Sequence, residues 1–154
     1  MEKEYKTIRN DVALIYQWAL GKTWMRFFEG LRKEKILGTK CTQCGKVFVP
    51  ARTFCPVCFT DMEEWVEVKP EGRVLTWTIV TAKYYGQVKE PPYIVATIQL
   101  DGTNCGFHHF IGGLNFADLK KMGEMLKTGA KVRAVWSQEK HADIYDISHF
   151  KPHK

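Results

Sequence analysis

Cys41-Thr42-Gln43-Cys44-Gly45 and, after an interval of ten residues, Cys55-Pro56-Val57-Cys58 form the stretch that decides the fold. In each pair the spacing lets a tight turn bring two thiolates onto one metal while turn amides point at the sulfurs. Gly45 follows its second cysteine, where such a knuckle needs a permissive backbone. Two knuckles facing each other complete a tetrahedral Cys₄ site, the closed geometry of structural zinc. Val47-Phe48-Val49-Pro50 between them reads as a short ribbon strand. The spacing therefore predicts a rubredoxin-like zinc ribbon over 35–62, with Cys41, Cys44, Cys55 and Cys58 as ligands of one Zn²⁺.

Three other chemistries use paired cysteines. Two disulfides would need an oxidising compartment, and the chain shows no export signal. A thioredoxin-like motif uses one C-x-x-C beside a βαβ unit, not two in a ribbon. Rubredoxin-type iron takes the same four ligands and stays open on spacing alone; a large domain without other redox features favours zinc. A closed site has no free coordination position, so it organises the chain and offers nothing to a substrate. Cys105, between Asn104 and Gly106, stands apart and reads as a small buried residue in preference to a nucleophile.

Outward from the ribbon, residues 5–34 carry apolar positions at three- and four-residue spacing: Val12, Ile15, Tyr16 and Ala19, then Trp24, Phe27, Phe28 and Leu31. Gly21 divides the stretch, and Thr23 is the expected N-cap of a second helix. The aromatic stripe of Tyr16, Trp18, Trp24, Phe27 and Phe28 serves either the protein's own core or a docking face for another subunit. Both readings fit the spacing.

After the ribbon the period becomes two. Strands are expected at Glu63 to Val68, Arg73 to Thr81, Tyr93 to Leu100, Thr103 to Ile111, Lys131 to Ser137 and Asp143 to Phe150. Asp101-Gly102 signals a hairpin, and Phe116 to Lys127 a short helix ending at Gly129. Five or six strands, a hairpin and a helix between strands are the pattern of a small closed Greek-key barrel of OB type. The fold class is mainly β with N-terminal helices, divided into a helical segment at 1–34, the ribbon at 35–62 and an OB-fold barrel at 63–154. The longest interruption, Ala82 to Pro92, places Tyr84 and Tyr85 beside Lys83 and Lys89. Long loops on a rigid barrel are where binding residues gather, although the tyrosines could equally cap the barrel end. His108 and His109 are adjacent, so in a strand they face opposite ways, one toward the barrel and one toward solvent.

The chain has 154 residues, 45% hydrophobic and 26% charged, and a formal net charge of +6. Residues 1–68 hold 11 basic and 9 acidic side chains, and residues 69–154 hold 12 and 8. The excess is spread thinly, without a basic arm, and suits an anionic small molecule or an acidic partner surface. A nucleic-acid-binding module, which zinc ribbons and OB barrels also build, is the alternative from another class. The richest apolar run, Val12 to Leu20, is nine residues with Gln17 inside it, far from the roughly 20 a spanning helix needs. Glu2, Glu4 and Asp11 spoil a signal-peptide reading, so the expected location is cytoplasmic. No G-x-S-x-G, G-x-x-x-x-G-K-[ST] or G-x-G-x-x-G occurs, and no catalytic residue is assigned.

The motifs run in a familiar order: Phe28-Glu29-Gly30-Leu31, the first knuckle, Phe48-Val49-Pro50-Ala51-Arg52, and Cys55-Pro56-x-Cys58. Glu64-Trp65-Val66-Glu67-Val68, Gly72-Arg73-Val74-Leu75-Thr76-Trp77-Thr78, Pro92-Tyr93-Ile94-Val95-Ala96 and Gly129-Ala130-Lys131-Val132 follow. Over about residues 24–150 the chain resembles the zinc-ribbon/OB-fold family catalogued as domain of unknown function thirty-five, which accompanies thiolase-superfamily enzymes. Phe59 stands where the family usually has glycine, and Ala51 replaces the second proline of Pro-Pro-Arg; neither change removes a ligand. The resemblance implies a non-catalytic accessory subunit of an acyl-CoA thiolase-type complex, in a hetero-oligomer with a thiolase-superfamily subunit that supplies the reactive cysteine and histidines. It implies docking through the ribbon and the Trp24, Phe27 and Phe28 helix. It also implies a barrel lying near the partner's acyl-CoA tunnel, with Lys83, Tyr84, Tyr85 and His108 toward the acyl-CoA.

Overall fold

A computed structural model describes residues 6–8 and 16–153. The first helix, α1 (Gly21–Arg32), turns Phe27, Gly30 and Leu31 inward. It begins two residues before the expected cap: Thr23 lies inside it, and Leu20 at the N-cap supplies no side-chain hydrogen bond. Its C-terminal turn closes with the amides of Lys33 and Lys35 on Gly30 O, while Glu34 takes a positive φ of 59°. The longer helical expectation fails at Tyr16 to Leu20, which form no regular structure, with Tyr16 and Trp18 largely exposed. Val12 and Ile15 lie outside the described residues.

Three strands follow as one antiparallel sheet in the order β2-β1-β3: β1 (Ile36–Lys40), β2 (Val47–Phe48) and β3 (Glu64–Val68). β3, placed with the barrel in the sequence reading, pairs along its whole length with β1, from Ile36 opposite Val68 to Lys40 opposite Glu64. The two knuckles lie in the long connection from β1 through β2 to β3, so this pairing ties both ends of the ribbon together.

The barrel is built from β4 (Glu71–Val80), β5 (Tyr93–Leu100), β6 (Phe107–Ile111), β7 (Lys131–Trp136) and β8 (Ile147–Pro152). It closes in the order β4-β5-β6-β8-β7, with β7 returning to β4 and one parallel contact between β6 and β8 at Ile111 and Phe150. Closure removes free sheet edges, the arrangement of OB-type barrels. The helix α2 (Leu119–Met125) is capped by the Asp118 carboxylate, which accepts the Lys121 amide at 2.9 Å. It buries Met122, with Leu126 just beyond it, in the core. The last expected strand starts late. A 3₁₀ turn at Ile144–Asp146 precedes β8, because the fully buried Asp146 carboxylate accepts the amides of His141 at 2.7 Å and Ala142 at 3.0 Å.

One apolar cluster runs without interruption from Phe27, Leu31, Ile36, Val49 and Val68 into Val74, Ile94, Ile98, Leu100, Val132, Ile147 and Phe150. Helix, ribbon sheet and barrel therefore share a core. Among the described residues, no buried side-chain nitrogen or oxygen lacks a hydrogen-bond partner. No helix among them is long and apolar enough to cross a membrane.

Candidate functional site

The ligand atoms of Cys41, Cys44, Cys55 and Cys58 all lie within 4.8 Å of one another, and Cys44 Sγ is 3.7 Å from Cys55 Sγ. A tetrahedral site with zinc–sulfur bonds of about 2.3 Å requires sulfurs about 3.8 Å apart. The residues fit the metal. Each knuckle is closed by the same pair of backbone bonds. Cys41 N–H donates to Lys46 O and Gly45 N–H to Cys41 O, and Cys55 N–H donates to Thr60 O and Phe59 N–H to Cys55 O, at 2.8–2.9 Å. The Cys44 amide holds the Cys41 thiol down to about 6, with Thr60 Oγ1 contributing at 3.7 Å. Cys58 is pushed up to about 12, first by its hydrogen bond with Cys44. Thiols so close cannot all ionise without a cation to offset their mutual repulsion. A divalent metal supplies that offset, and four sulfurs leave no coordination position open.

Cys105 lies against the cluster formed by Cys41, Phe48, Cys55 and Met62. Its sulfur accepts from Val49 N–H and donates to Val49 O, both at 3.2 Å. Asn104 makes the equivalent pair with Val47, amide to carbonyl at 2.9 Å and Val47 N–H to Asn104 Oδ1 at 3.0 Å. These bonds are the reason β6 starts at Phe107 and not at Thr103. Thr103 still bonds the end of β5, whereas Asn104 and Cys105 are stitched to the ribbon.

The helix stripe divides. Phe27 is fully buried and Phe28 half-buried in the shared core, whereas Trp24 and Met25 are exposed. Phe27 is thereby withdrawn from the expected docking face, since its side chain has no surface left to offer. Trp24 instead borders an open, mainly apolar groove of about 470 Å³ lined by Pro50, Ala51, Arg52, Thr53 and Phe54. From Phe54 at the edge of that groove, the exposed surface continues to Val57 and, at 81% exposure, Phe59 on the second knuckle.

On the barrel, the Ala82 to Pro92 loop is internally bonded. Tyr84 N–H donates to Gln87 Oε1 at 3.1 Å, Gln87 Nε2 donates to Tyr93 OH at 3.0 Å, and the Tyr84 and Tyr93 hydroxyls are 3.5 Å apart. The bond to Tyr93 raises the Tyr84 phenol above its ordinary value. Tyr84 thus does part of the capping, while Tyr85 projects at 71% exposure. Lys83 pairs with Glu90, and Lys89 Nζ sits 5.2 Å above the Phe110 ring.

His108 and His109 diverge as strand neighbours should. His108 is exposed, with Nδ1 3.1 Å from Thr97 Oγ1. His109 is buried; its Nδ1 accepts the Phe110 amide at 2.9 Å, so the Nε2 proton is directed at Ile144 O, 3.2 Å away. Burial lowers its pKa below the ordinary histidine value. Both histidines line a mainly apolar cleft of about 210 Å³ with Val95, Phe110, Ile144 and Tyr145. The rings of Phe110 and Tyr145 face each other there at 6.4 Å and 15°. Lys83, Tyr84 and Tyr85 do not line this cleft, so the four expected barrel residues form no single pocket. Phe110 and Tyr145 were not singled out by sequence reasoning. An aromatic residue in a strand pattern looks like core, and only the β7–β8 connection brings Tyr145 across.

Family models match in the same order as the architecture. The ChsH2 rubredoxin-like zinc ribbon domain matches residues 28–63, and the ChsH2 C-terminal OB-fold domain matches residues 65–137. A crystal structure of a DUF35-family protein of unknown function from Sulfolobus solfataricus is 33% identical, covers 75% of this chain and 78% of its own, and superposes with a TM-score of 0.58. The chain belongs to the DUF35 family. Among curated relatives, a DUF35 domain-containing scaffold protein of Methanocaldococcus jannaschii is 34% identical over 68 residues, 43% of this DUF35 chain and 48% of the relative. One from Pyrococcus furiosus is 33% identical over 82 residues, 53% and 57% of the two chains. The DUF35 chain thus spans about half the length of the curated relatives it matches. The structure of an Ltp2-ChsH2(DUF35) aldolase, 20% identical with a TM-score of 0.62, covers 88% of this chain and 98% of its own, and shows the shared fold.

Proposed function

We propose that this DUF35 protein is a non-catalytic accessory subunit that docks on a thiolase-superfamily enzyme, stabilises it and shapes its acyl-CoA tunnel. The observation that carries the reading is the apolar surface of the second knuckle. Phe59 is held at a φ of 59° with 81% of its surface in solvent, beside the exposed Phe54 and Val57. A side chain kept in a backbone region suited to glycine, and contributing nothing to the core, marks a surface retained for contact. The Trp24 groove continues that surface onto α1. Kinship to proteins named as scaffolds, and a fold shared with the ChsH2 component of an aldolase, support the same role. On this reading the barrel face with His108, Tyr85 and Tyr84 lies toward the acyl-CoA, and the closed Cys₄ site holds the docking element in shape. Affinity capture from the native lysate, followed by mass spectrometry, tests it. A stoichiometric thiolase-fold subunit is expected, and its absence overturns the assignment.

A second reading draws on the exposed Tyr84, Tyr85 and Tyr145. They sit on the two loops that flank the ligand face of OB domains, where aromatic side chains serve as stacking platforms for single strands. Salt-sensitive micromolar binding of a single-stranded oligonucleotide would favour it over the accessory role.

A further inference from the structure

The barrel hairpin between β5 and β6 is attached to the metal-binding ribbon by more than proximity. Asn104 and Cys105 treat Val47 and Val49 as a neighbouring strand, with four hydrogen bonds at 2.9–3.2 Å to alternate residues of the segment joining the two knuckles. Two of the four use side-chain sulfur and one a side-chain amide oxygen. The match therefore depends on these residue types and not on backbone alone. Thr103, itself buried, braces the clamp: its hydroxyl donates to Leu100 O at 2.8 Å, and Gln99 Nε2 donates to Thr103 O at 2.9 Å.

From the clamp the chain returns directly to the ligand face. Gly106 passes so close to Thr97 that a Cβ there would lie 2.5 Å from Thr97 Cγ2. Thr97 in turn bonds His108 at 3.1 Å. A chain of contacts thus runs from the knuckle cluster of Cys41, Phe48, Cys55 and Met62 through Cys105, Gly106 and Thr97 to His108.

We propose that the Asn104–Cys105 clamp makes the ribbon metal a positional determinant of the barrel face, so that ordering of the knuckles by zinc and docking of the β5–β6 hairpin are energetically linked. Without the metal, four thiols no longer hold the β2 segment in place, and Val47 and Val49 cease to present their amides and carbonyls in register. The hairpin then loses its partner strand on that side, while the β7–β8 pair, which among the described residues makes no hydrogen bond to the ribbon strand, keeps its bonds. Linkage requires the effect to be reciprocal: whatever factor zinc gives to hairpin docking, the clamp gives to zinc binding. The inference stands on the geometry of this chain and is independent of which partner the protein serves.

Hydrogen exchange by mass spectrometry on the full chain, loaded with zinc and then stripped by a chelator, tests the link. Amides of residues 97–109 are expected to exchange at least ten-fold faster in the metal-free protein, with those of β7 and β8 unchanged. Asn104→Ala and Cys105→Ala, compared with wild type in the zinc-loaded state, are expected to speed the same amides. They should also weaken zinc, measured by competition with a chromophoric chelator, by a factor similar to the one by which exchange rises. Hairpin protection that ignores zinc overturns the proposal, as does a loss spread evenly over the whole barrel. Clamp variants that leave zinc affinity untouched overturn it too.

Discussion

Gly45 and Phe59 occupy the same place in the two knuckles. Each follows the second cysteine of its pair, each has a left-handed backbone (φ 69° and 59°), and each donates its amide to the carbonyl of the first cysteine at 2.9 Å. Glycine takes that conformation freely, whereas a side chain there costs about 1 kcal/mol. Phe59→Gly is therefore expected to raise stability slightly, by about 0.5 kcal/mol after the extra freedom glycine gives the unfolded chain. The same change should weaken partner binding at least ten-fold. Urea unfolding and titration calorimetry read the two effects separately, and unchanged partner affinity would remove Phe59 from the docking surface.

Cys41→Ser and Cys55→Ser each remove a fully buried ligand. Binding free energy at such a site is folding free energy, of order 10 kcal/mol for small zinc domains. Both variants are expected to bind less than one zinc per chain by elemental analysis, to lose ordered ribbon structure and to fail in complex formation. Intact assembly of either variant with a thiolase-type partner would count against ribbon-mediated docking.

His109 gives the fold a pH dependence with a definite sign. Burial depresses its pKa below the ordinary histidine value, which the unfolded chain retains. Its contribution to stability is thus complete above a pH of about 6.5 and is lost as pH falls through the lower folded value, because the unfolded state takes up a proton that the native state refuses. Protonation would also put a second donor against the Phe110 amide. Stability measured between pH 7.5 and 5 should fall more steeply for wild type than for His109→Gln. Parallel curves would assign the acid limb to other groups.

Tyr84 and Tyr85 separate structural from ligand roles in one loop. Tyr84 is tied to Tyr93 and Tyr85 is not. Tyr84→Phe is expected to loosen the loop, and Tyr85→Ala to leave stability within about 0.5 kcal/mol of wild type, as for an exposed residue away from structural features. If the loop lies over an acyl-CoA tunnel, Tyr85→Ala should raise KM of the assembled complex several-fold. Steady-state kinetics unchanged by Tyr85→Ala would place the loop elsewhere.

The C-x-x-C spacing and the switch from a period near four to a period of two were enough, by themselves, to establish a Cys₄ ribbon ahead of a small closed barrel. Knuckle turns and strand alternation are local properties that a dozen residues specify. The strands Tyr93 to Leu100 and Lys131 to Trp136 appear almost where alternation places them. Only the tertiary structure decided that β3 pairs with β1, that Phe27 is core while Trp24 is surface, and that Asn104 and Cys105 leave their own hairpin to bond the ribbon. Each of those outcomes joins residues far apart in the chain, up to 57 positions between Val47 and Asn104. Which of several apolar or polar neighbours a residue meets is set by how whole elements pack against a common core, and no window of sequence contains both sides of that contact.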